Sequence, residues 1–106
     1  MTKAVMNWGR LRLELSGHAG YAEKGQDIVC AGISMLTGAL AGVLEDAKTR
    51  GRTEFGWKED GAEVAIWADP SLGSLQEIKS YFRMAVKGLS MLQEQYPKHV
   101  EIKEVL

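Results

Sequence analysis

The sequence contains only one cysteine among its 106 residues. A single cysteine cannot form an internal disulfide, which is typical of proteins in a reducing cytoplasm. The amino-terminus lacks the apolar stretch of a signal peptide. The most apolar region, residues 28–44, is interrupted by Gly32, Gly38 and Gly42 and is too short to span a bilayer comfortably. These absences predict a soluble cytoplasmic protein with no membrane partner.

An excess of positive charge is also absent. The formal net charge is −1, from 13 basic and 14 acidic residues, so no basic surface indicates a nucleic-acid partner. Metal ligands are scarce, because zinc usually takes three or four side chains and the region around the one cysteine offers a single histidine. The glycines of residues 17–25 lack the Gly-Lys-Ser/Thr ending of a phosphate loop. We therefore expect no metal and no other cofactor.

Alternating apolar residues predict two β-hairpins. A type II′ turn at Gly9-Arg10 would close the first hairpin, and a type I′ turn at Asp60-Gly61 would close the second. The predicted cross-strand pairs all fall on one side of the sheet: Ala4 with Leu15, Met6 with Leu13, Phe55 with Ile66 and Trp57 with Val64. The other side is polar, so helices should cover one face only.

Two amphipathic helices are predicted after the hairpins. The first begins at the N-cap Asp27 and ends near Gly51. Its apolar stripe is Val29, Ile33, Leu36, Leu40, Val43 and Ala47. The second begins near Asp69-Pro70-Ser71, with a possible capping box at residues 74–77, and ends at Pro97, before a last strand. The order ββαββαβ predicts an α/β (α+β) fold in one domain, residues 1–106: a two-layer sandwich with a mixed, mainly antiparallel sheet and two helices on one face.

Cys30 has two interpretations. A lone cysteine near an apolar helix is more often buried in a core than catalytic. With Asp27 as N-cap, however, Cys30 is the third residue of the helix, where free N–H groups and the helix dipole favour a thiolate. It also lies beside the apolar stripe, towards Ser34 and Thr37. This position makes Cys30 a candidate nucleophile, and it makes the N–H groups of the helix start candidate donors to an oxyanion.

His18 follows the second predicted strand, in a segment that contains Gly17, Gly20 and Gly25. A solvated loop histidine is the simpler interpretation. The glycines would also let the loop fold back over the helix start, where His18 could take the thiol proton and later protonate a leaving amine. We expect this loop to be mobile, because glycine tolerates many backbone conformations.

Three further side chains have weaker claims. Asp27 could cap the helix, orient His18 or do both, and the capping role is favoured. Ser34, one turn after Cys30, is a candidate for a supporting hydrogen bond. His99, which lies just before the last predicted strand, is expected at the surface.

The string Gly17-His18-Ala19, followed by Gly25 and by the sequence DIVCAGIS at residues 27–34, resembles the signature of the ribosomal-processing cysteine protease Prp family. Eleven residues separate His18 from Cys30, as in that family. The resemblance extends over the whole chain and its order of strands and helices. It implies a cysteine endopeptidase in which this histidine and this cysteine are catalytic.

The resemblance also implies a substrate and partners. Family members are bacterial cytoplasmic enzymes that remove a short amino-terminal extension from a large-subunit ribosomal protein. Asp27 matches the family's acidic residue before the cysteine. The family's flexible substrate loop matches residues 17–26, with Gly17, Ala19, Gly20 and Gly25. A homodimer is implied too, and two features agree with it: the small residues Gly32, Gly38, Ala39 and Gly42 on the first helix, and Trp67 on the otherwise polar face of the sheet.

Two other functions are compatible with the residues. One is a non-catalytic ribosome-associated assembly factor that binds the same partner. The other is a structural domain with a buried thiol. The complete His–Cys string favours the protease, because binding alone would not require it.

Overall fold

The computed structural model describes residues 1–23 and 25–106. Within these residues lie five strands and two helices: β1 Thr2–Asn7, β2 Arg12–Ser16, α1 Ile28–Thr49, β3 Thr53–Asp60, β4 Glu63–Pro70, α2 Leu75–Gln95 and β5 Val100–Val105. The strand order across the sheet is β3-β4-β2-β1-β5. Only β1 and β5 run parallel, while the other neighbouring strands are antiparallel. This mixed, mainly antiparallel sheet confirms the predicted fold class.

The core lies between one face of the sheet and the two helices. Alternate strand residues point into it and pack against the buried sides of the helices: Met6, Leu13 and Ile66 from the strands, Leu40 and Leu44 from α1, and Ile78, Phe82 and Leu89 from α2. The opposite face carries charged side chains such as Lys3, Glu14 and Lys58. Trp67 also lies on that face, with the Arg12 guanidinium 4.6 Å above its ring. The prediction of helices on one face is therefore confirmed.

The first hairpin has the predicted pairing but a different turn. Ala4 pairs with Leu15 and Met6 with Leu13. Four residues connect the strands, and the positive φ falls on Leu11 (50°) rather than on Gly9. The predicted type II′ turn is wrong because the Asn7 side chain accepts a hydrogen bond from the Arg10 N–H at 2.9 Å, which forms a wider turn held by a side chain.

The second hairpin is shifted by two residues from its predicted register. Trp57 pairs with Ile66 rather than with Val64, so the turn is centred on Gly61 and the residue after it. Gly61 has a φ of 61°, which a type II′ turn requires at its first central position. The shift also sets Gly56 opposite Trp67, where a Cβ would come within 2.2 Å of the indole ring. A shift of two residues leaves the same side chains facing the core, so the predicted faces survive.

Both helices depart from the predicted pattern. In α1, Leu44 is fully buried while Val43 is 38% exposed. The predicted start of the second helix near residues 69–71 is wrong, because β4 continues to Pro70 and α2 begins only at Leu75. Ser74 is its N-cap but makes no side-chain capping bond. The capping box does not form because the Glu77 carboxylate instead accepts hydrogen bonds from Arg50 and other neighbours.

Helix α1 is long and apolar enough to cross a membrane, judged by length and composition alone. The helix extends the apolar stretch of residues 28–44 to Thr49 through the charged residues Glu45, Asp46 and Lys48. Val29, Leu40, Leu44 and Ala47 of this helix are buried inside the protein.

Candidate active site

His18 lies at the end of the central strand β2, where the chain turns sharply. Gly17 makes this turn with a φ of +84°, and a Cβ there would fall 2.5 Å from the Met1 carbonyl oxygen. The Thr2 hydroxyl donates a hydrogen bond to the Gly17 carbonyl oxygen at 3.0 Å. A glycine is thus required at position 17, and the His18 side chain emerges exposed from a backbone that is tied to β1.

Ala19, the residue after His18, is held by contacts with α1 and with the segment that precedes β5. Ala19 is 1% exposed and packs with Val29 and Val100. Its carbonyl oxygen lies 2.9 Å from Nδ1 of His99. The expectation that His99 lies at the surface is therefore wrong: it is half-buried behind the loop. Its chain neighbours gave no signal of this contact, which joins residues far apart in sequence.

Asp27 joins the loop to the start of α1. Its Oδ1 accepts hydrogen bonds from the N–H groups of Val29 (3.0 Å) and Cys30 (2.9 Å). Its Oδ2 accepts from the N–H groups of Tyr21 (3.0 Å) and Ala22 (3.5 Å). The bond from the Cys30 N–H is the largest of the effects that hold the pKa of Asp27 below its usual range. The N-cap role is confirmed, and within the described residues these bonds run to backbone N–H groups rather than to His18.

Cys30 is the third residue of α1 and is half-buried. Its backbone N–H and that of Val29 donate to the Asp27 side chain, and the Ala31 N–H donates to the Asp27 carbonyl oxygen at 3.0 Å. The expectation that these helix-start N–H groups bind an oxyanion is wrong for these three, because the cap already satisfies them.

His18 and Cys30 line one groove, with a cavity volume of about 590 Å³, between α1 and the β3–β4 hairpin. Ser34 lines it too, on the α1 side. Within the part of the chain that the structure describes, no hydrogen bond joins Cys30 to His18 or to Ser34. In enzymes without substrate, catalytic hydrogen bonds are often long and form only when the substrate is bound. A thiol, an imidazole and a hydroxyl thus share one surface that is open to solvent.

The predicted substrate loop divides into parts with different surroundings. Gly17 lines the groove, whereas Ala19 is buried beneath it. Gly20 and Gly25 have positive φ angles of 70° and 88° and face open space. Gly17, Ala19, Tyr21 and Ala22 carry the hydrogen bonds described above, while the expected mobility of the loop stays a prediction. Lys24 lies outside the described residues.

The far wall of the groove was not predicted. It is formed by Trp57 and Glu59 of β3, by Val64 of β4 and by the turn between these strands. The signal was present in the alternation of Phe55, Trp57 and Glu59, which puts a carboxylate in line with apolar core-facing residues. It was missed because local patterns assign these residues to a face of the sheet but do not show that this face borders His18 and Cys30.

A thiol at a helix start and an imidazole in the same groove are the groups that a cysteine-dependent hydrolase requires. The model of the cysteine protease Prp family matches residues 1–101. The chain therefore belongs to this family, whose members are enzymes that cleave peptides with a cysteine nucleophile.

Individual relatives agree with this assignment. The "Ribosomal processing cysteine protease Prp" of Bacillus subtilis (strain 168) is 49% identical over 37 residues, which are 34% of this chain and 33% of that protein. The match thus spans about a third of the relative's length.

Two solved structures of the S. aureus ribosomal processing protease Prp share the fold. The one with a covalently linked product peptide gives a TM-score of 0.76 at 20% identity and covers 99% of this chain and 100% of the other. The one with a substrate peptide gives 0.73 at 18% identity, with the same coverage.

Proposed function

We propose that this protein is an endopeptidase in which Cys30 is the nucleophile and His18 is the general base and then the general acid. The observation that carries the proposal is that both side chains line one groove. The half-buried state of Cys30 argues against a purely structural thiol, because such cysteines are normally buried completely.

The reaction would proceed in two steps. His18 takes the proton of the Cys30 thiol, the sulfur bonds to the scissile carbonyl carbon, and the C–N bond breaks as His18 protonates the leaving amine. His18 then takes a proton from water, which attacks the thioester and releases the carboxylic acid and the thiol. Ser34, exposed on the groove wall one turn after Cys30, is available for a supporting hydrogen bond.

The proposed substrate is the amino-terminal extension of a large-subunit ribosomal protein. The groove is open and is lined by Trp57, Ile33 and Val64 next to the single carboxylate of Glu59, which suits an extended peptide with apolar side chains. The relatives named above are ribosomal processing proteases, and an S. aureus structure holds a substrate peptide. Ribosomal proteins are made in the cytoplasm, so the proposal assigns the activity to that compartment.

A homodimer through one face of α1 is part of the proposal. Met35 is 72% exposed on this helix and Val43 is 38% exposed. Between them, added Cβ atoms at Gly38 and Gly42 would meet nothing within 4 Å. An open apolar surface with glycines permits close approach of a second subunit. Trp67, the other feature considered for dimerisation, is covered by Arg12.

The test is to incubate the protein with a ribosomal protein that carries the extension and to measure the intact mass of the product. Loss of the extension, abolished by Cys30→Ala and by His18→Ala, is the expected result. The mature ribosomal protein, which lacks the extension, is the control substrate. Tight binding of the extended form without cleavage would instead favour the assembly factor.

A further inference from the structure

The segment that carries His18 is fastened from behind by His99, in the turn between α2 and β5. Nδ1 of His99 lies 2.9 Å from the carbonyl oxygen of Ala19. Because a carbonyl oxygen only accepts hydrogen bonds, Nδ1 carries the hydrogen and donates it. Ala19 is buried, and buried carbonyl groups need such a partner.

The imidazole ring makes a second contact with the same loop. The ring centroids of His99 and Tyr21 are 5.5 Å apart at an angle of 79°, and Tyr96 contacts Tyr21 at 5.3 Å and 79°. Both pairs have the edge-to-face geometry that aromatic rings favour. The Tyr21 N–H in turn donates to Asp27, so the ring contacts fix the loop at the point where it reaches the helix cap.

Thr2 connects this anchor to the strand end. Its N–H donates to the His99 carbonyl oxygen at 2.9 Å, and its hydroxyl donates to the Gly17 carbonyl oxygen at 3.0 Å. His18 therefore has a fastened residue on each side. His99 itself does not line the groove, so a substrate in the groove would meet His18 and not His99.

We infer that His99 is a positioning residue, which holds the His18 backbone so that its imidazole stays in the groove that it shares with Cys30. The catalytic consequence rests on the proposed protease activity. Displacing a catalytic group by about 1 Å lowers the rate by on the order of 100-fold. Loss of the His99 anchor should therefore lower kcat by a similar factor and leave KM nearly unchanged.

Two substitutions at one position separate the hydrogen bond from the ring contact. His99→Asn retains an N–H donor close to the position of Nδ1 and removes the ring. His99→Phe retains the ring and removes the donor. Gln93→Ala is the matched control, because Gln93 accepts a 2.7 Å hydrogen bond from the Ile102 N–H of strand β5 and forms no hydrogen bond with the part of the loop that the structure describes.

Two measurements test the inference: one reports whether the loop is held in place, and the other reports whether Cys30 reacts as it does in the wild type. Hydrogen exchange of the Tyr21 and Ala22 amides, which donate to Asp27, reports whether the loop is held. The rate at which iodoacetamide alkylates Cys30 reports on the His18–Cys30 pair and needs no peptide cleavage. The chain has one cysteine, so intact mass measures this rate directly.

In His99→Phe we expect exchange of both amides to rise by up to about tenfold, as for the loss of one hydrogen bond. Alkylation of Cys30 should fall to the rate of His18→Ala, and the double variant should be no slower. His99→Asn and Gln93→Ala should remain near the wild-type rate.

Unchanged amide exchange in His99→Phe would overturn the inference. A fall in the alkylation rate of Cys30 in Gln93→Ala as large as that in His99→Phe would overturn it too. If His99→Phe does not fold, His99→Asn is the deciding variant, because it keeps the N–H donor. A fall in its Cys30 alkylation rate to that of His18→Ala would show that the donor does not hold His18 in place. The proposed protease activity can be contradicted independently of this inference. If His18→Ala alkylates and cleaves like the wild type, His18 is not catalytic, but raised amide exchange in His99→Phe would still show that His99 holds the loop.

Discussion

The first turns of the two helices occupy equivalent places in the fold but differ in their capping residue and in the residue at the third helical position. Each helix follows a hairpin, and the third residue of α1 is Cys30 while the third residue of α2 is Glu77. In α1, the cap residue Asp27 accepts hydrogen bonds from the helix start and from the loop. In α2, the cap residue Ser74 makes no side-chain bond of this kind.

The side chains at this shared position face different surroundings. Glu77 accepts hydrogen bonds from Tyr81, Arg50 and Arg52, and the Tyr81 hydroxyl followed by Arg50 lowers its pKa to about 2. Its carboxylate is thus occupied by structural partners. The Cys30 side chain instead lines a groove, while its backbone N–H donates to Asp27. In the proposed enzyme, the residue that caps this helix start and the residue that reacts there are therefore different side chains.

The strongest test of this difference is the removal of the sulfur. Cys30→Ala should abolish cleavage, since loss of a nucleophile that works with a base lowers kcat by on the order of a millionfold. Cys30→Ser should be nearly as inactive, because a hydroxyl ionises far less readily than a thiol. Intact-mass assays of the extended substrate measure the loss, and unchanged circular dichroism checks the fold. Appreciable cleavage by Cys30→Ala would return Cys30 to a structural role.

A smaller effect is expected when the two functions of Asp27, capping α1 and holding the loop, are separated by mutation. Asp27→Asn keeps one oxygen for the helix N–H groups, but its amide nitrogen cannot accept from Tyr21 and Ala22. The loop should be released while the helix stays capped, so we expect kcat to fall by on the order of 100-fold with little change in Tm. Asp27→Ala, which loses both sets of bonds, is the comparison and should also lower Tm. Wild-type kcat in Asp27→Asn would contradict this division of roles.

The corresponding position of α2 should affect stability and its pH dependence. The pKa of Glu77 is about 2 in the folded protein, against an ordinary 4.5. A lowered pKa stabilises the fold above pH 4.5, and this contribution is lost as the pH falls from 4.5 to 2. Glu77→Gln should therefore lower Tm at pH 7, and its difference from the wild type should close across that interval.

Cleavage should be unchanged in Glu77→Gln, because Arg50, which contacts Glu77, lies 20 residues after Cys30 at the other end of α1, about 30 Å away. Glu94→Gln, on the same helix, is the control, since Glu94 forms no ion pair with the residues that the structure describes. A Tm difference that persisted at pH 2 would show that the ionised carboxylate is not the cause.

Most of the fold followed from local patterns in the sequence. Alternating apolar residues predicted the strands, and apolar stripes predicted the helices. They also predicted the buried face of each element, because this face depends only on the spacing of apolar residues along the chain. The second register was predicted wrongly, since it depends on a contact across strands: the Trp67 ring lies over Gly56. Turn residues alone do not reveal such a fit.

The candidate site was predicted in part for the same reason. Asp27 and Cys30 are three residues apart, so a capping pattern was enough to predict their relation. The anchor between His99 and Ala19 joins residues that are 80 positions apart, and only the folded chain brings them together. The mobility of the loop was inferred from its glycines, whereas its hydrogen bonds with Thr2 and His99 come from partners that are distant in sequence.

The smallest expected effect contrasts glycines of the two helices. A Cβ at Gly42 of α1 would meet nothing within 4 Å, whereas one at Gly88 of α2 would lie 2.4 Å from the Leu36 side chain. Gly42→Ala should stabilise the subunit by about 0.5–1 kcal/mol through helix propensity, and Gly88→Ala should lower Tm by separating the helices. If the Gly42 face forms the proposed dimer, Gly42→Ala should also weaken association as measured by light scattering over a range of concentrations. A dimer that dissociates no more readily in Gly42→Ala than in the wild type would exclude this face of α1 as the interface.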